Sequence, residues 1–249
     1  MSITDGIAPR GAAALSALAL SVIALSGCGS SSTHTTTVTS APATTNTNAA
    51  AADERIASDA QLKLSDFPSG WQQKDSTQEA AAEAKCEGVD AAKAAASARA
   101  KSPNFERQNA QAGNVIYVYA DVPGATRAVG ELSSQSTRTC IGDALAKNLA
   151  NQKPQGATFG KITSGQVSMT PIGDERTAGR LTIPISAQGT TVSACVDLVF
   201  VRTGRAVAVF TLLDALTPFD ETLRDRLAKT VVDRLDAGLG LPSSTAAST

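Results

Sequence analysis

Histidine is almost missing from this chain of 249 residues: there is one, His34, in a stretch of serine, threonine and asparagine. Ser-His-Asp and Cys-His nucleophile arrangements, and the usual imidazole-based zinc site, therefore have no donor in the rest of the sequence. Neither Gly-x-Gly-x-x-Gly nor Gly-x-x-x-x-Gly-Lys-Ser/Thr occurs, so the cradles that bind nucleotide phosphates lose their main sequence support. An excess of one charge sign is lacking too. The formal net charge of -1 gives nothing to favour nucleic acid, whose binders usually carry a clustered basic surface. Aromatics are scarce at 4% and alanine is abundant, so each core position buries little apolar area and a covalent staple gains importance.

What is present divides the chain into parts. After Arg10 an uncharged, mainly apolar run extends to Leu25, with the layout of an export signal over residues 1–27. It is short and broken by serine, unlike a spanning helix. The run ends in Leu25-Ser26-Gly27-Cys28, which looks like the lipobox of bacterial lipoproteins: an apolar residue, two small ones and the cysteine that is acylated. Cys28 is thus the expected lipidation site, and the bilayer the expected partner of that lipid, on the extracytoplasmic face of a cell membrane. Residues 28–52 lack apolar periodicity and read as a flexible tether of Ser, Thr, Asn and Ala. At that length a flexible chain spans about 25–30 Å. Residues 53–240 are expected to form one domain, and 241–249 a disordered tail.

Within the domain, Asp53 to Lys63 reads as a short helix and residues 78–101 as a second, interrupted at Cys86-Glu87-Gly88. Alternation from Asn114 to Val122 predicts a strand ended by Pro123-Gly124, then helices over 125–134 and 137–151, the latter with a stripe of Ile141, Leu145 and Leu149. Period-two patterning returns near 158–169, 178–187, 191–202 and 205–213. Arg202-Thr203-Gly204-Arg205 joins the last two as a hairpin. In the third of these strands Val192, Ala194, Val196, Leu198 and Phe200 share a face, with Cys195 and Asp197 opposite. A final helix begins at Pro218, with Thr217 as cap, Asp220 at capping-box spacing, and a stripe of Leu223, Leu227, Val231 and Leu235 ending at Gly238 or Gly240. The class is α+β, a mainly antiparallel sheet packed by helices.

The order of these features resembles the extracellular sensor domain of the PknH-type serine/threonine kinases of actinobacteria and its stand-alone lipoprotein relatives. The resemblance is carried by Leu64-Ser65-Asp66-Phe67-Pro68-Ser69-Gly70-Trp71, by Cys86, Ser102-Pro103-Asn104-Phe105 and Cys140, and by Ile172-Gly173-Asp174-Glu175 with Val199-Phe200-Val201-Arg202-Thr203-Gly204-Arg205. It implies an extracytoplasmic, disulfide-bonded domain that binds something, with no catalytic residues to carry over. The departure is in the cysteines: those sensor domains hold two disulfides, whereas three domain cysteines permit one. Cys86 lies at an irregular break and Cys140 in the first turn of a helix, while Cys195 sits in a regular strand where a covering helix can bury it unbonded. The expected disulfide is Cys86 with Cys140.

Other residues are weighed against plainer roles. Asp174-Glu175 could be an acid pair or a cation ligand, but after a glycine between strands it reads as a solvated turn. Arg202 and Arg205 would face each other across the hairpin; one of them is expected to pair with Asp197 rather than to hold an anionic headgroup. Trp71, Tyr117 and Tyr119 read as core. The leading expectation is a non-enzymatic lipoprotein, with no cofactor and no metal, whose domain binds a small amphipathic ligand or an envelope protein. A histidine-free enzyme working through carboxylates and a structural accessory of an envelope complex are the alternatives.

Overall fold

In the computed structural model of the chain, residues 47–74, 85–151 and 157–242 are described. The expected signal, Cys28, His34 and most of the expected tether lie outside them. The described residues form helices α1 Thr47–Asp59, α2 Glu87–Ala95, α3 Val122–Leu132, α4 Gln135–Asn151 and α5 Glu221–Leu239, with strands β1 Gln72–Lys74, β2 Ala98–Lys101, β3 Asn104–Arg107, β4 Ala110–Val118, β5 Ala157–Phe159, β6 Thr163–Gln166, β7 Glu175–Ala187, β8 Thr190–Thr203 and β9 Ala206–Asp214. All nine strands belong to one antiparallel sheet, ordered β1-β3-β4-β9-β8-β7-β5, with β2 beside β4 and β6 beside β7. The α+β class is as expected from the sequence.

The sheet is the middle of three layers. Side chains alternate between its faces, so Ile116, Val118, Ala208, Phe210, Val199 and Val201 pack under α1 and α5, while Val115, Tyr117, Val207, Val209, Leu198 and Phe200 pack under α2, α3 and α4. This explains why β8 is buried without a break from Ala194 to Val201: both faces are covered, as in a helix-flanked sheet. Trp71 belongs to the first layer with Phe67 and Phe105, and Tyr117 and Tyr119 to the second. Their core reading holds.

Several elements differ from expectation. α1 starts at Thr47, inside the expected tether, because the alanines of 49–52 favour helix and Asp53 is fastened to Arg205. Of the expected helix over 78–101, residues 78–84 lie outside the described ones and Glu87–Ala95 is helical; after α2 the chain pairs with β4 as β2, where alanine's low strand propensity is outweighed by burial of Ala98 on the sheet. Pro123-Gly124 does not end a strand. It lies in the first turn of α3, where proline is tolerated and the Asp121 carboxylate accepts from the Gly124 N–H at 2.7 Å. The 158–169 strand is two short strands, β5 and β6, and β1 and β3 carry too few residues to show a period. α5 starts three residues later than expected, capped by Asp220 on the Leu223 N–H at 2.7 Å rather than by Thr217.

Cys86 and Cys140 are joined, with Cα atoms 5.9 Å apart, and Cys195 is a buried free thiol. The bond ties the residue before α2 to α4. Nearby, the start of α2 presses onto the α3–α4 junction: a Cβ on Gly88 would meet Thr137 Oγ1 at 2.3 Å and the Glu131 carbonyl oxygen at 2.8 Å. Glycine is required by that approach.

Candidate functional site

Two of the buried charged residues, Asp197 and Arg224, meet where the first turn of α5 packs on β7 and β8. Asp197 is fully buried on the α5 face of β8, a position that needs counter-charge. Its cross-strand neighbour in the ladder is Arg180, which donates through Nε at 2.6 Å and Nη2 at 2.8 Å, a two-pronged pair. That bond to Asp197 holds the Arg180 guanidinium pKa above its ordinary value against the opposing effect of burial. From the helix side comes Arg224, 2% exposed, with Nη1 3.6 Å from the second Asp197 oxygen.

Arg224 also reaches outward along the edge. Its Nε donates to Asp225 at 2.9 Å and its Nη2 to the Ser168 carbonyl at 2.9 Å. Asp225 in turn accepts from the Thr170 N–H at 3.1 Å and from the Thr170 hydroxyl. Burial pushes the Asp225 carboxyl up, but the Thr170 bonds and Arg224 outweigh it and leave the pKa below the ordinary range. The carboxylates of this cluster are taken up by arginine and main-chain or hydroxyl donors, so that it ties separate segments together. The Nη1 of Arg224 has no hydrogen-bond partner; its attachment to the cluster is purely ionic.

The segment so positioned lines a cleft. β6 runs beside β7 as far as the bond from Val167 N–H to the Ala178 carbonyl at 3.0 Å. Beyond that rung Ser168 and Thr170 are drawn across to α5, and the chain leaves the β7 edge. The gap is a cleft of about 330 Å³ lined by Gln166, Val167, Met169, Arg176, Thr177 and Ala178. A second open cleft, of about 470 Å³, lies between α1, the end of α2 and β2, lined by Glu54, Ser58, Lys93 and residues 96–100.

Beside that second cleft Asp53 accepts from Arg205 at 2.6 and 2.9 Å and from the Ser97 hydroxyl at 2.6 Å. The Arg205 bonds outweigh burial and hold the Asp53 carboxyl below its ordinary pKa. A depressed carboxyl contributes stability that is fully present above its unfolded value and is lost as pH falls through the folded one. Acid unfolding should therefore set in as pH drops below about 4, and Asp53→Asn should show a flatter pH dependence below that point with lower stability at neutral pH. Circular dichroism melts from pH 2 to pH 7 measure both; parallel curves for the two chains would refute the assignment.

The arginines of the β8–β9 hairpin do not pair with Asp197. Five residues separate Asp197 from Arg202, which places them on opposite faces and more than 15 Å apart along a strand. Nor do Arg202 and Arg205 face each other: Arg202 opposes Val207, Thr203 opposes Ala206, and the turn is Gly204-Arg205, with Gly204 at φ +50°. Arg202 is held by Asp174 at 2.9 Å and Glu175 at 3.3 Å, and Asp174 also accepts from the Gly204 N–H at 2.8 Å. The acidic pair clamps the hairpin.

Sequence reasoning did not single out Arg180, Arg224, Arg176 or Asp53. The lone Asp197 in an apolar strand was the available signal, since such a charge demands a partner. Among the described residues no group of three or more His, Cys, Asp or Glu is gathered to hold a metal ion, and no helix is long and apolar enough to cross a membrane. No protein-family model and no curated protein matches the chain.

Proposed function

We propose that the chain is an exported lipoprotein, anchored through lipid on Cys28 to the extracytoplasmic face of a membrane, whose α+β domain binds a ligand or a partner protein and does no chemistry on it. The observation that carries the anchor is the sequence Leu25-Ser26-Gly27-Cys28 at the end of the apolar run. The Cys86–Cys140 bond supports export, because structural disulfides persist in oxidising compartments. The saturated carboxylates of Asp197, Asp225 and Asp53, beside two open clefts, support binding over catalysis.

The test of the anchor is metabolic labelling with an alkyne analogue of palmitate in a bacterial host. The unmodified chain should carry label and sediment with membranes, and Cys28→Ala should carry none and appear in the soluble extract. A single acyl chain holds only marginally and two hold stably, so release should be nearly complete. Labelled Cys28→Ala, or unlabelled Cys28→Ala that stays in the membrane fraction, would overturn the reading.

A further inference from the structure

We propose that the cleft beside β7 takes an extended polypeptide segment bearing a carboxylate, added as a short strand to the β7 edge; this rests on the reading of the domain as a binding module and names the kind of partner it accepts. Three observations converge on the cleft. The first is the main chain of β7. Because the Ala178 carbonyl accepts from Val167 N–H at 3.0 Å, Ala178 turns its main-chain groups to this edge, and by the two-residue alternation of an antiparallel ladder Arg176 does the same. Across this edge no main-chain bond is made by the Ala178 N–H or by Arg176 among the described residues. An edge offering alternating donors and acceptors matches an extended peptide, which supplies both along its length.

The second observation is that, among the described residues, the edge is held open. A strand continuing β6 past Gln166 would cover Arg176 and Ala178. Instead the Ser168 carbonyl is occupied by buried Arg224 and Thr170 by Asp225, so the chain that would close the edge is fastened to α5. Strand edges left open are a hazard that proteins usually cover, and here two charge-assisted contacts keep the cover away. The third is charge. Arg176 is exposed at the lip of the cleft and has no carboxylate within ion-pair distance among the described residues. A cation left unneutralised beside open main-chain groups favours an anionic segment, with Val167 and Met169 supplying apolar contact for one side chain.

The experiment selects from a library of random seven-residue peptides with free carboxyl termini against the full chain held in lipid nanodiscs. Selected peptides should contain a carboxylate, bind about tenfold more weakly to Arg176→Gln, lose binding when their main-chain nitrogens are methylated, and slow hydrogen exchange at the Ala178 amide. Arg176 is exposed and unpaired, so that substitution leaves the fold intact. Peptides that bind Arg176→Gln equally well, or that tolerate methylation, would overturn the cleft assignment while leaving a binding domain with its site elsewhere. Decanoate producing the same Ala178 slowing at comparable concentration would overturn strand addition in favour of a small amphipathic anion. A library that yields no binder overturns the proposal outright, and lipid labelling at Cys28, read separately, stands whichever result is obtained.

Discussion

Replacing either Cys86 or Cys140 by serine is expected to lower the unfolding free energy by about 4 kcal/mol, from the chain entropy that a 54-residue separation restores to the unfolded state. That is a large share of what a single domain has. The bond's position adds a reason to expect the full effect. It links the start of α2 to α4, two helices that cover the same face of the sheet, and the sequence between them contains β2, β3, β4 and α3. Most of one helical layer and three of the nine strands therefore sit inside the closed loop. The two single variants should lose stability about equally and the double variant little more, because each removes the same bond. Cys195→Ser should cost much less, since Cys195 is unbonded. Urea denaturation with and without dithiothreitol separates these cases: reductant should lower the midpoint of the unmodified chain and of Cys195→Ser, and leave the Cys86 and Cys140 variants unchanged. A Cys86→Ser chain still sensitive to reductant would show that another pairing carries the stability.

The parts of the fold legible in the sequence are those whose periodicity runs longest. β7, β8 and β9 have 13, 14 and 9 residues, enough for alternation to emerge, and the Leu223, Leu227, Val231, Leu235 stripe of α5 is buried along its length. β1 and β3 have three and four residues, at most two full periods, and are strands because a neighbour is there to pair with. Over β2 alanine favours helix locally, and pairing with β4 overrides that preference. The local chemistry of Pro123-Gly124 fits both a turn and a helix start. Asp121, which decides between them through its bond to the Gly124 N–H, falls within the alternation of the preceding strand.

The candidate site was half legible for a similar reason. Asp197 stood out as a charge in an apolar strand, but naming Arg180 as its partner requires the β7–β8 register, and naming Arg224 requires knowing how α5 is rotated on the sheet. Arg224 adjoins the apolar stripe at Leu223, so it could be placed on either flank of the buried face. The cleft was not legible at all. It exists because Ser168 and Thr170 bond to residues some 55 positions later, and nothing local to 167–170 distinguishes a chain that leaves the sheet from one that continues β6.

Removing Asp197 tests whether this interior charge is structural, and Asp197→Ala is expected to cost about 3–5 kcal/mol, the range for breaking a buried ion pair from one side. Arg180 would lose both of its short bonds, and Arg224 the carboxylate facing its unbonded Nη1. The cost is thus that of leaving cations stranded more than of losing attraction. It follows that removing the charges together is milder: Arg180→Met with Asp197→Leu should recover much of the loss, because apolar replacements of similar volume commonly match a buried pair. A urea double-mutant cycle on these two positions should therefore show strong coupling with little change in the denaturant slope. Arg224 is expected to behave differently. It also holds the Ser168 carbonyl and Asp225, so Arg224→Met should both destabilise the chain and speed hydrogen exchange at the Thr170 amide, whereas Arg180→Met should leave Thr170 protected by its bond to Asp225. If Thr170 exchange is unchanged in Arg224→Met, the ionic cluster stabilises the sheet without fixing the segment that opens the β7 edge, and cleft and cluster are independent.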